Sequence, residues 1–285
     1  MEEALHRILQ YDLKTIDPNQ IKTDIVALGK VGIVLYKIPK GRKIFRARKH
    51  DSNFTIENEG QISYRTDLSG ISIGRANAAK QNIFYGAIAS QEIDQGYVIA
   101  AIETSNNYRT NIDGSETMTI GMWEVISDFE VVAIVFDPKY SEKLRVAKEM
   151  NNDHLKFISD AFSKQSEMHK SLAKYLGGQF SEKVLVGEEY KYKFTSEYSS
   201  LLFQLNVLGI AYPSVPMDYQ GFNVALTPNT VDKHLLFESV LLVQLVKSGT
   251  KYYLHQYKMS DDITSNPISY IKLNPKYSIY RPFTI

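Results

Sequence analysis

The chain has 285 residues and 44% apolar content, enough for a sizeable core, while its most apolar stretch, 240–246, is far too short to cross a bilayer. Thirty-three Lys and Arg against 32 Asp and Glu leave +1, with no block of one sign, which argues against a dedicated nucleic-acid binder. Cysteine is absent, which excludes disulfides, thiolate metal sites and a thiol nucleophile.

Residues 1–29 read as two short helices, the second starting at Asp17-Pro18 because proline is tolerated in a first helical turn. The opening MEEALHRILQYDLKTID is acidic and amphipathic rather than basic and then apolar, so no signal peptide is expected and the expected location is cytoplasmic. Segments 31–39 and 43–48 follow as strands around the turn-former Pro39-Lys40-Gly41. Residues 51–80, rich in Asn, Ser and Gly, read as a long loop around Ile73-Gly74-Arg75-Ala76-Asn77. Strand composition returns at 82–87, 97–104, 116–125 and 130–136.

From 141 to 177 the pattern turns helical, with Leu155, Ile158, Phe162, Met168 and Leu172 recurring at helical spacing, and Gly177-Gly178 is expected to end it. Another amphipathic helix is expected at 195–208, closed by Gly209. A short buried strand, Ile210 to Val215, comes next, and a final hairpin pairs 235–247 with 251–258. No internal repeat is present.

Four places carry candidate chemistry. In the expected strand 97–104, six apolar residues precede Glu103, which would share a face with Tyr97, Ile99 and Ala101; it serves either a ligand or simply the solvated strand end. Arg46 and Arg48 share one face of their strand about 7 Å apart, at about 3.3 Å per residue, so they either grip a pyrophosphate or face solvent. Tyr85 is either a stacking platform or a core aromatic. Ser214 lacks a G-x-S-x-G elbow, so with Asn223 it would position a ligand rather than act as a hydrolase nucleophile. The six histidines show no metal-ligand spacing, no metal is expected, and neither a Walker A loop nor a G-x-G-x-x-G fingerprint is present.

The order of these segments resembles the RES-domain family: Phe45-Arg46, Gly74-Arg75-Ala76-Asn77, Phe84-Tyr85-Gly86-Ala87, the apolar run into Glu103, then Tyr212-Pro213-Ser214-Val215 and Gly221-Phe222-Asn223-Val224-Ala225-Leu226. The match covers roughly 43–105 and 197–230. It implies an α+β fold similar to ADP-ribosyltransferases, a mixed β core of short strands with flanking helices. The chain would then comprise an N-terminal helical extension at 1–40 and a RES-like domain at 41–285 with a helical insertion at 141–195.

The family cleaves the nicotinamide-ribose bond of NAD by hydrolysis or phosphorolysis, and many members are toxins of toxin–antitoxin pairs. The resemblance therefore implies NAD as a substrate rather than a cofactor, an antitoxin partner and no membrane association. The helical insertion would bind that partner or mediate self-association into a homo-oligomer. Among site residues, Glu103 would serve the ribose, Arg46 and Arg75 the diphosphate, Tyr85 the nicotinamide end, and Ser214 with Asn223 would complete the pocket, with Asn77 and Arg48 also binding substrate. Glu92 competes with Glu103, and Arg48 and Arg65 compete with Arg46 and Arg75. Two alternatives stay open, a protein ADP-ribosyltransferase and a catalytically silent RES-like binding module.

Overall fold

The computed structural model describes residues 1–51, 54–89, 96–274 and 281–284. Helices α1 (Glu2–Leu9) and α2 (Pro18–Ala27) open the chain; Asp17 caps α2 by accepting from the Asn19 N–H ahead of the first turn. Strands β1 (Val34–Ile38) and β2 (Lys43–Lys49) follow, then the long loop, then β3 (Phe84–Ile88). Helices α3 (Gly96–Thr104) and α4 (Asn106–Thr110) precede β4 (Gly114–Val125) and β5 (Phe129–Ala133). The helical stretch contains α5 (Pro138–Lys143), α6 (Arg145–Ala161), α7 (Ser166–Ser181) and α8 (Lys193–Gln204). The rest is β6 (Gly209–Pro213), β7 (Phe222–Leu226), α9 (Pro228–His234), the hairpin β8 (Leu235–Ser248) and β9 (Lys251–Ser260), and the short strands β10 (Ile271–Lys272) and β11 (Arg281–Thr284). The protein is α+β, as expected.

One sheet runs in the order β1-β5-β6-β7-β3-β2-β4-β8-β9-β10, with β11 also on β9. Only β5 and β6 pair in parallel among the described strands. At its centre, β2 pairs with β4 over seven residues but with β3 over two, Ile44 with Ile88 and Phe45 with Ala87. Beyond Phe45 the two strands part, and the sheet forks.

Two apolar clusters cover the sheet. Strand alternation sends Ile44 into one and Phe45 and Ala47 into the other, so they lie on opposite faces of β2. The larger includes Leu5, Ile8 and Ile21 of the N-terminal helices together with Leu172, Leu176 and Phe194 of α7 and α8. In the second, Val98 to Ile102 pack on Met118, Ile120, Val243 and Leu245 of β4 and β8.

Three expectations are corrected here. First, α8 ends at Gln204, so Gly209 opens β6 rather than closing the helix. The run 97–104 is a helix, α3, not a strand. A short, wholly apolar run fits a buried strand or a buried helix equally well on periodicity, and here the residues are enclosed on every side, which suits a helix without a polar face. Glu103 therefore ends a helix, one turn beyond Ile99 and Ala100 rather than in line with Tyr97 and Ala101. Thirdly, Gly177-Gly178 does not end α7, which continues to Ser181. The glycines are there for proximity: a Cβ on Gly177 would lie 2.5 Å from the Asp137 nitrogen and 2.8 Å from the Phe136 carbonyl carbon, so α7 crosses the end of β5 backbone to backbone.

Gly178, one residue on, has nothing within 4 Å of such a Cβ. Gly178→Ala is expected to stabilise the protein by about 0.5–1 kcal/mol through helix propensity, whereas Gly177→Ala destabilises it because backbone cannot give way; denaturant midpoints of the two variants check the contrast.

Buried Asp24 ties the N-terminal helices together, accepting from Arg7 Nε and Nη2 at 3.0 and 2.6 Å, Tyr11 Oη at 2.7 Å and Gln20 Nε2 at 3.0 Å. The Arg7 hydrogen bonds above all hold its carboxyl down to about 2. A carboxyl with a lowered folded-state value stabilises the fold above its unfolded value, about 3.9, and loses that contribution as pH falls toward 2. Thermal melts from pH 5 to 2 should therefore fall less steeply in Asp24→Asn, which starts from a lower melting temperature at neutral pH.

Candidate functional site

A cavity of about 450 Å³ lies in the fork between β2 and β3, walled by Arg46 and Ala47 on one side and Tyr85 and Gly86 on the other. Arg46 spans the gap. Its Nη1 donates 2.8 Å to the Tyr85 carbonyl, and its Nε donates 2.9 Å to the Ile62 carbonyl of the long loop, while Phe84 lies under the guanidinium at 5.3 Å. Burial first, and then Arg48, pull its guanidinium down to about 9, still cationic at neutral pH.

Glu103 stands at the end of α3, in the cavity wall. Its Oε1 accepts from Ser214 Oγ at 2.5 Å and from Asn223 Nδ2 at 2.6 Å, while Oε2 accepts no hydrogen bond from the described residues. Ser214 and Asn223 are both buried; Asn223 also walls the cavity and Ser214 sits behind the carboxylate. Two contacts of Gly221 set this alignment. The Ser214 N–H donates 2.7 Å to the Gly221 carbonyl, and a Cβ on Gly221 would stand 2.3 Å from Ile99 Cδ1. Gly221 thus admits α3, the helix that carries Glu103, against the β6–β7 connection.

Of the expected site residues, Arg46, Arg75, Tyr85, Glu103 and Asn223 meet in this one cavity, and Ser214 joins them through Glu103. Arg75 reaches across to the end of α7, where Nη1 donates to the Gln179 and Phe180 carbonyls at 3.2 and 2.8 Å and Nη2 to the Glu182 carbonyl at 2.8 Å. It is thus a cation that caps a helix C-terminus, stacked 5.1 Å from the Tyr192 ring. Tyr85 is neither a free platform nor a plain core ring: its hydroxyl donates to Asn77 Oδ1 at 2.7 Å and accepts from the Ala76 N–H at 2.8 Å. Asn77 in turn donates to the Ser72 and Ala78 carbonyls, and a Cβ on Gly74 would strike its Oδ1 at 2.4 Å. Asn77 therefore shapes the loop that walls the cavity. Arg48, outside the wall, donates from Nη2 to the Ser63 carbonyl at 2.6 Å and leaves a buried Nε without a partner. Exposed Arg65 bonds the Gly70 carbonyl at 3.3 Å, and Glu92 lies outside the described residues.

Three contributors have no role assigned from the sequence. The segment Val184-Leu185-Val186, with Glu189 and Tyr192, forms a roof from the end of the helical stretch. Tyr212 adds a ring to those of Phe45, Tyr85 and Tyr192; burial raises its hydroxyl well above the usual tyrosine range, so it remains a hydrogen-bond donor. Arg109 of α4 walls the mouth and donates 3.1 Å from Nη2 to the Glu103 carbonyl oxygen. Behind that elbow, buried Glu116 of β4 accepts from Ser105 Oγ at 2.5 Å and from the Asn106 and Asn107 N–H groups at 3.0 and 3.3 Å, with Lys49 Nζ at 3.0 Å. These bonds fix the turn from α3 into α4. Among the described residues no cluster of three His, Cys, Asp or Glu could hold a metal ion, and no helix is long and apolar enough to cross a membrane.

Compared with family models and with curated protein sequences, the chain gives no match, so its chemistry is argued from the site itself.

Tyr85→Phe removes a hydroxyl that both accepts and donates. It is expected to destabilise the fold by about 1–3 kcal/mol, because the Ala76 N–H and Asn77 lose a partner; urea unfolding measures this.

Proposed function

We propose that the chain is a RES-type enzyme that cleaves the nicotinamide-ribose bond of NAD. The observation that carries this reading is the Glu103 carboxylate, fixed through one oxygen by Ser214 and Asn223 with its other oxygen open, in a cavity lined by aromatic rings and cations. Breaking a glycosidic bond to a pyridinium passes through an oxocarbenium-like state, which a preorganised carboxylate stabilises. The Ser214 and Asn223 donors hold that carboxylate so that little reorganisation is needed when positive charge develops. Nicotinamide leaves neutral, so no general acid is required. Tyr85, Tyr192 and Tyr212, the last two flanking the Arg75 guanidinium, give the cavity an aromatic lining for a flat heterocycle.

Purified protein is then expected to release nicotinamide from NAD, assayed with and without added phosphate to separate phosphorolysis from hydrolysis. Glu103→Gln, which keeps the shape and one acceptor, should lower the rate by about 100- to 1,000-fold while circular dichroism stays unchanged. A wild-type rate equal to buffer, or full activity in Glu103→Gln, would overturn the reading. A toxin role for this activity predicts growth arrest on expression, relieved by the same substitution. A protein acceptor is the second reading, favoured by Leu185 and Val186, which stand 44% and 68% exposed in the roof. Label from NAD would then mark a macromolecule.

A further inference from the structure

Three arginines wall the cavity, but their N–H groups are not equally available. Arg46 is committed to the Ile62 and Tyr85 carbonyls and holds the fork; Arg75 is committed to three carbonyls at the end of α7. Taking either away for a ligand would leave those carbonyls unmet and loosen the wall itself. Arg109 differs. It is exposed, it makes a single hydrogen bond among the described residues, and of the five donors of a guanidinium most remain free.

We infer that Arg109 is the residue that anchors the substrate's diphosphate. This inference deepens the NAD reading and moves the anion from the Arg46 and Arg75 side of the cavity to its α4 rim. Three features favour that end. The Arg109 guanidinium lies 3.1 Å from the Glu103 carbonyl oxygen, so an anion held there is next to the residue that serves the ribose, as a 5′-linked diphosphate requires. A second cation lies near α4, where Lys183 Nζ stands 5.2 Å from the ring of Tyr108. Neither acid of the cavity pairs with the Arg109 guanidinium among the described residues: Glu103 is fixed through Oε1 by Ser214 and Asn223, and Glu189 accepts from the Gly187 N–H at 3.1 Å. A guanidinium also matches a diphosphate bidentately.

The test pairs binding with turnover in the full chain. Calorimetric titration with inorganic pyrophosphate should show binding that weakens about tenfold or more in Arg109→Gln, partly recovers in Arg109→Lys, and is unchanged in Arg145→Gln on α6. In steady-state assays Arg109→Gln should raise the KM for NAD about tenfold with little change in kcat, and leave cleavage of nicotinamide riboside, which lacks the diphosphate, at the wild-type level. No pyrophosphate binding by the wild type, equal binding by Arg109→Gln, or equal loss on NAD and the riboside each overturns the assignment. Pyrophosphate binding that depends on Arg109 without any nicotinamide release would keep the anion site and reject the cleavage reading.

Discussion

The parting of β2 from β3 after two residue pairs is the constraint on which the site rests. A central pair of strands that stops sharing hydrogen bonds leaves backbone groups facing a gap, and such groups need partners. Arg46 supplies one by donating to the Tyr85 carbonyl, and by donating also to the Ile62 carbonyl it binds the long loop over the same gap. The fork is therefore held at the width of one arginine side chain. The aromatic wall, the loop and the carboxylate of α3 are arranged around that width.

Much of this was legible beforehand. The helices before residue 29 and the C-terminal hairpin follow from patterning, capping and turn residues, and the α+β class from the family resemblance. The resemblance implies one pocket for Glu103, Ser214 and Asn223, and in the structure the serine and asparagine donate directly to the carboxylate across more than 100 residues of sequence. What patterning could not give was the conformation of 97–104, since a run with no polar positions has no period to read. Gly177 misled for a related reason: a glycine that lets two backbones touch looks the same in sequence as one that ends a helix. Arg109 and the roof left no pattern because they become cavity walls only through tertiary folding.

Half-buried cations without carboxylate partners among the described residues shape the electrostatics. Arg46 and Arg48 are satisfied by carbonyl oxygens alone, and Arg48 incompletely. Carbonyl dipoles satisfy geometry but do not cancel net charge, so these guanidiniums keep their positive charge beside the cavity. The fixed arginines supply that charge, while the exposed one at the mouth is free to make contact.

Arg75 has a consequence for how the parts of the molecule communicate. Because one guanidinium both walls the cavity and receives the last carbonyls of α7, the roof segment hangs directly from it. The height of the roof over the cavity is thus tied to the Arg75 side chain, with the Lys191 ion pairs to Glu182 and Glu188 bracing the same segment.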